Sequence, residues 1–303
     1  MHRGRPRCPG DTGTHVFSGM LAGMIGAENV KNAGPDVWAD PTIIDAARSI
    51  ELCEQLEQRA RFPDQIEINN SVLALLDAKA GESWLEVGCG SGVLCRQLAK
   101  QLMPDGFVTG VDLSEEMIAR AKEYAQIEGP INNLQFQPGD AAVLPFLDGS
   151  FDGAFSARLM LHAQDPVAIM REMARVVAGG GKLVAMEWDF DSITVDHSDR
   201  DLTRKILHWR TDFKDGNNWI GRQLWRHALD AAWQDIAFEN RVSVAHDKNM
   251  SLVQSLIKAA NGARDADVIT AEESSAWLEE IDQKIDSGKF FASIVYFMIR
   301  GTK

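Results

Sequence analysis

The sequence predicts an α/β fold: a doubly wound, mostly parallel sheet of seven strands, with helices added before the first strand and between the last two. Two observations carry this expectation. Between Trp84 and Asp191 short β-type runs alternate with amphipathic stretches, and strands joined through helices take right-handed crossovers that leave them parallel, with helices on both faces. A glycine-rich turn, Gly88-Cys89-Gly90-Ser91-Gly92, stands between the first of those strands and its helix, where such sheets bind ligands.

The elements follow in order. Asp40-Pro41 predicts a helix start, since Asp caps free N–H groups and Pro suits the first helical position. Ile43, Ala47, Ile50, Cys53, Leu56 and Ala60 then recur at helical steps, and a second helix follows Pro63 and stops before Gly81. WLEV (84–87) reads as the first strand. FVTGV (107–111) is the second, ahead of a helix opened by Ser114-Glu115-Glu116, whose acidic turn suits the helix dipole. LQFQ (134–137) is the third strand and FDGAFS (151–156) the fourth. A helix capped by Asp165-Pro166 then runs to Gly179-Gly180-Gly181, and KLVAM (182–186) is the fifth strand. Beyond Trp188 helices are expected near 199–213, 219–233, 250–261 and 271–286, with strands near 236–244 and 290–299. This divides the chain into a flexible arm at 1–35, a helical cap at 36–80, a ligand-binding core at 81–191, and a remainder at 192–303 belonging to the same domain. Three arginines within the first seven residues only faintly suggest a targeting segment, and Met20 or Met24 is a candidate natural start.

Composition narrows the function. With 31 Lys+Arg against 44 Asp+Glu the net charge is −13, which disfavours a nucleic-acid partner. The longest apolar stretch near the end, 290–299, falls short of the roughly 18 to 20 residues of a membrane span. Cys8, Cys53, Cys89 and Cys95 form no CxxC pair, so neither a metal site nor a disulfide framework is expected, and a reducing, cytoplasmic setting is the plain reading.

The glycine turn reads GxGxG, preceded by Glu86 two places before Gly88. A dinucleotide fingerprint would need glycine at 93, which is Val93. From Trp84 to Asp191 the chain resembles the class I S-adenosylmethionine-dependent methyltransferases, most closely the ubiquinone/menaquinone-biosynthesis-like small-molecule group with its Rossmann-like fold. The resemblance implies S-adenosylmethionine as cofactor. It implies that Gly88, Gly90 and Gly92 turn against its methionine part and that Glu86 holds the amino end. Asp112 would accept the ribose hydroxyls, Leu113 and Met117 would sit against adenine, and Asp140 with Ala141 would meet the adenine amine edge. Backbone near Ser156 would complete the pocket. Asp112 agrees independently, because a carboxylate at a strand end bonds hydroxyl donors strongly; its other reading is a turn residue before Ser114. Asp140 equally reads as a Gly-Asp turn.

The nucleobase amino-methylase motif Asn/Asp-Pro-Pro-aromatic is absent after the fourth strand, where the chain reads Phe155-Ser156-Ala157-Arg158. His162 falls just beyond that strand and could serve as a base, or could bond a loop carbonyl. Arg158 could hold an acidic acceptor or pair with Glu187. Trp188 and Asp189 follow the fifth strand at the binding edge and are the expected acceptor contacts. Trp188, Trp209, Trp219, Trp225, Trp233 and Trp277 could line an aromatic acceptor pocket, although helical spacing makes core packing the commoner fate. The expected function is methyl transfer to a small-molecule acceptor, beneath a lid of the added N- and C-terminal helices. The alternative is a cofactor-binding module that does not methylate. The acceptor and the oligomeric state stay open.

Overall fold

The computed structural model describes residues 36–39, 46–129, 131–212 and 216–303. The arm expected at 1–35 and the Asp40-Pro41 helix start lie outside the described residues. Helices α1 (Ala46–Arg59) and α2 (Pro63–Leu76) precede the sheet, with Pro63 in the first helical turn of α2, where a missing N–H is tolerated. The alternating part then runs β1 (Ser83–Val87), α3 (Val93–Leu102), β2 (Phe107–Asp112), α4 (Glu115–Ile127), β3 (Leu134–Pro138), β4 (Phe151–Ala157), α5 (Pro166–Val176) and β5 (Val177–Val195). It is followed by α6 (Arg200–Asp212), α7 (Ile220–Asp230), β6 (Gln234–Phe238), β7 (Arg241–Ala245), α8 (Ser251–Asp265), α9 (Ala271–Asp286) and β8 (Ala292–Thr302).

The sheet has the order β3-β2-β1-β4-β5-β8-β6, with β7 also on β8. The first five of these strands are parallel, and β8 runs antiparallel to β5, β6 and β7. Eight strands replace the expected seven for a local reason. Phe238 pairs with Ile299 and Arg241 with Tyr296, so β6 and β7 keep one register along β8 and form a single edge strand interrupted at Glu239 and Asn240. A second difference concerns the triple glycine. Helix α5 ends at Val176 and the chain enters β5 directly, so Gly179, Gly180 and Gly181 sit in an irregularity where pairing passes from Phe151–Val177 to Gly153–Lys182.

Strand alternation sorts the core into two layers. Trp84, Phe155, Val184 and Met186 pack on one face with α2, α3, α6, α8 and α9, while Leu85, Val87, Ala154 and Leu183 pack on the other with α5 and α7. Burying each such large side chain contributes roughly 1.5–3 kcal/mol, so the register of β1, β4 and β5 is strongly fixed. Caps then fix the loops leaving the carboxyl ends of the strands. Ser114 Oγ accepts from Met117 N at 3.2 Å after β2, and Asp165 Oδ1 accepts from Ala168 N at 2.9 Å after β4.

Candidate cofactor and acceptor site

A cavity of about 550 Å³ opens at the carboxyl ends of β1, β2, β4 and β5. Of the fourteen expected site residues, all line it except Gly92, Ser156 and Asp189. Gly92 instead starts α3 at φ 78°, and a Cβ there would stand 2.6 Å from the Phe136 ring. Ser156 is fully buried, and its neighbour Ala157 forms the wall. Asp189 is fully buried as well. Arg222 holds it through two hydrogen bonds, Nη2 at 2.8 Å from Oδ1 and Nε on Oδ2, so its carboxylate is committed to an ion pair outside the cavity lining.

At one end of the cavity lies the glycine turn. Gly88 has φ 75°, and a Cβ there would stand 2.8 Å from Leu159 Cδ1, so this position favours glycine and lines the cavity with its backbone. Asp112 Oδ2 accepts from Gly90 N at 2.8 Å and Oδ1 from Ser114 N at 3.1 Å. Asp112 therefore does brace the turn before Ser114, and this leaves its carboxylate at the cavity wall with lone pairs to spare. Burial raises its pKa above the ordinary value despite those N–H groups. Glu86 accepts from Cys95 Sγ at 2.9 Å, and burial pushes its carboxyl up to about 7 against the favourable pull of that thiol and of Arg158. Leu113 is half exposed beside the cavity and Met117 is buried against Cys53. Asp140 Oδ1 accepts from Ala142 N at 2.8 Å, the bond of a Gly-Asp turn, with the carboxylate at the mouth. A buried carboxylate beside a backbone turn suits an ammonium, and a second one at a neighbouring strand end suits a diol. Ser91 Oγ, also in the wall, is buried without a partner. These residues fit S-adenosylmethionine.

At the other end His162 lies in a short 3₁₀ turn, Met160–His162. Its Nδ1 is 2.7 Å from Asp36 Oδ2, so a carboxylate, not a loop carbonyl, orients the ring. Burial raises the Asp36 pKa, but the bond and charge of His162 outweigh it and the net shift is downward. Arg158 has φ 62° and forms no ion pair with Glu187. It donates to Gln65 Oε1 at 3.5 Å and to Asn69 Oδ1 at 3.1 Å. Glu187 accepts from Met160 N at 2.6 Å and is pushed by burial up to about 8.

Among the C-terminal tryptophans only Trp188 lines the cavity. Trp233 and Trp277 are core, and Trp219 and Trp225 are exposed. The cover is narrower than expected: Leu56 and Arg59 of α1, Ala60 just after it and Arg210 of α6 contribute, and no residue of α7, α8 or α9 does. Sequence reading missed Asp36, Trp38, Arg59, Gln65 and Asn69. Gln65 and Asn69, four apart on the buried face of α2 beside Ile68 and Val72, were the available signal, since a polar pair on an apolar helical face asks for a partner.

A glycine turn after the first strand of a parallel sheet and an acidic residue ending the second are shared by dinucleotide-binding and class I methyltransferase folds, and Val93 in place of the last fingerprint glycine favours the second. Residues 85–185 match the family described as "Methyltransferase domain". The chain is 34% identical over 245 residues to a 37.1 kDa protein encoded in a transposon of Streptomyces fradiae, covering 80% of this chain and 69% of that one. It is 31% identical over 140 residues to a demethylmenaquinone methyltransferase of Bacillus cytotoxicus, covering 42% and 59% respectively. Other curated relatives are spanned over 35% to 60% of their length. The solved structure of the YcgJ protein from Bacillus subtilis shares the fold, with TM-score 0.51 and 20% identity over 78% of this chain and 97% of that one. The chain belongs to the class I S-adenosylmethionine-dependent methyltransferases, and S-adenosylmethionine is its cofactor.

Proposed function

We propose that the chain transfers the methyl group of S-adenosylmethionine to a small-molecule acceptor by in-line displacement. The observation carrying this reading is the single cavity that joins Gly88, Glu86 and Asp112 to His162 and Trp188 under α1. In it Gly88 and Gly90 turn against the methionine part, Glu86 holds the amino end, Asp112 takes the ribose hydroxyls, Leu113 and Met117 flank adenine, and Asp140 with Ala141 meets its amine edge. The bound cofactor supplies an already activated methyl group, so the chain's own task is to align the acceptor and keep water out. Helix α1 covers the cavity, and His162, held by Asp36, is placed to take a proton from the acceptor. The divisions 36–80, 81–191 and 192–303 then correspond to cap, cofactor core and remaining sheet with its helices. Among the described residues no helix is long and apolar enough to cross a membrane, and Cys53, Cys89 and Cys95 are free thiols, which supports a cytoplasmic setting. The net charge of −13 supports a partner other than nucleic acid. The test is incubation with methyl-labelled cofactor and a metabolite extract. Label in a low-molecular-weight product is expected. Label in nucleic acid, or cofactor binding with no labelled product, would overturn the reading.

A further inference from the structure

The cavity wall carries two guanidinium groups, Arg59 and Arg158, that form no ion pair among the described residues. The charges of Glu86 and Glu187 reach Arg158 only through space, and burial pushes both of those carboxyls up. Arg59, ending α1, holds its Cζ 5.4 Å from the centre of the Trp188 ring and forms no ion pair among the described residues. Arg158 donates only to the amide oxygens of Gln65 and Asn69, and its Nε is buried without a partner. Trp188 Nε1, on the same wall, is likewise buried and unpartnered. Elsewhere the chain gives arginines carboxylate partners, the buried Arg96 and the exposed Arg222 among them. Arg96 pairs with Glu57 and Glu128, and Arg222 with Asp189 and Asp191, in a protein with 44 acidic residues to draw on. Burial and the neighbouring charge of Arg158 lower Arg59 to about 9, and burial lowers Arg158 as well. Two cations held this way repel each other until an anion lies between them.

We propose that Arg59, Arg158 and Trp188 Nε1 form a subsite for an anionic group of the methyl acceptor, making that acceptor an apolar or aromatic molecule that bears a carboxylate or a comparable oxyanion. This rests on the methyl-transfer reading above. The cofactor's own carboxylate is the other possible source of such an anion, and topology separates the two. Apart from the backbone at Ser156 on β4, the expected cofactor contacts lie on or just after β1, β2 and β3, whereas Arg158 directly follows β4 and Trp188 lies on β5, paired with Tyr296, on the opposite side of β1. Trp188 adds a flat apolar face beside the charge, which suits a ring-bearing acid.

The test is calorimetric titration of the full chain, saturated with S-adenosylhomocysteine, by benzoate and by its neutral counterpart benzamide. Benzoate is expected to bind at least about tenfold more tightly. Arg59→Gln should abolish that preference, while Arg61→Gln, an equal charge change at an exposed position two residues on, should retain it. Equal binding of the two probes, or a preference surviving in Arg59→Gln, overturns the subsite. So does benzoate binding only when 5′-methylthioadenosine, which lacks the amino-acid carboxylate, replaces S-adenosylhomocysteine, because the clamp then belongs to the cofactor. Failure of S-adenosylhomocysteine to bind overturns the underlying reading and the subsite with it, and the saturating titration reports that result separately.

Discussion

Glu86 shows how far a single buried residue couples the site to pH. Its pKa of about 7 lies above the ordinary carboxylate value, so between the two the folded protein holds a proton that the unfolded chain releases. Native stability therefore falls as pH rises through that window, and Glu187 extends the fall to about 8. Melting temperatures of the cofactor-free protein should decline from about pH 5 to pH 8, and more shallowly in Glu86→Gln and Glu187→Gln. A cofactor ammonium beside Glu86 would drive off its proton. Titration near pH 6 in buffers of different ionisation enthalpy should thus show proton release with S-adenosylhomocysteine and none with 5′-methylthioadenosine; equal release with both would remove Glu86 from the amino end. For His162, replacement by Ala should lower turnover about 10²-fold with cofactor affinity unchanged, and near-equal rates would leave alignment as the source of catalysis. At this scale the sequence brought Glu86, Asp112 and His162 to the cavity wall because each stands at or within a few residues of a strand end. It hid Asp36, whose contact with His162 spans 126 positions, and Arg222, which reaches Asp189 on β5 from α7.

Between elements, α2 is tied to the later helices by a polar network that periodicity does not report. Asp64 Oδ1 accepts from Ser251 N at 3.0 Å, at the first turn of α8, and its other oxygen accepts from the Ser251 hydroxyl. Gln65 Nε2 donates to Ser251 Oγ at 2.9 Å and to Tyr296 Oη at 2.7 Å while its carbonyl oxygen faces Arg158. Asp64→Ala leaves buried donors unsatisfied and should cost about 1–3 kcal/mol, read as a lower denaturation midpoint with an unchanged slope. A midpoint equal to wild type would show that α8 carries its own cap. Helix positions were legible because apolar faces and caps repeat locally, as with Asp165 before α5. The break between β6 and β7 and the glycine irregularity in β5 were not, because both follow from register against a neighbouring strand and not from the run itself.

For the whole molecule, topology does what no single residue can. The order β3-β2-β1-β4-β5 places the glycine turn and Asp112 on one side of the binding edge and Arg158, His162 and Trp188 on the other, so one cavity serves donor and acceptor. The parallel strands were foreseeable from the alternation of strands and helices, and a lid from the helix near 40–60 was expected, whereas the strand order and the absence of α7, α8 and α9 from the cavity wall depend on tertiary packing. The most direct test of this arrangement is calorimetric titration of S-adenosylhomocysteine into the wild-type chain and Asp112→Ala, with NAD as a control. One site per chain is expected in the wild type, none for NAD, and a loss of about 2–4 kcal/mol in the variant, or roughly 30-fold or more in affinity. The variant should also melt somewhat lower, since Gly90 and Ser114 lose their acceptor. Tight NAD binding without heat from S-adenosylhomocysteine, or equal affinity in wild type and variant, would contradict the assignment of this cavity.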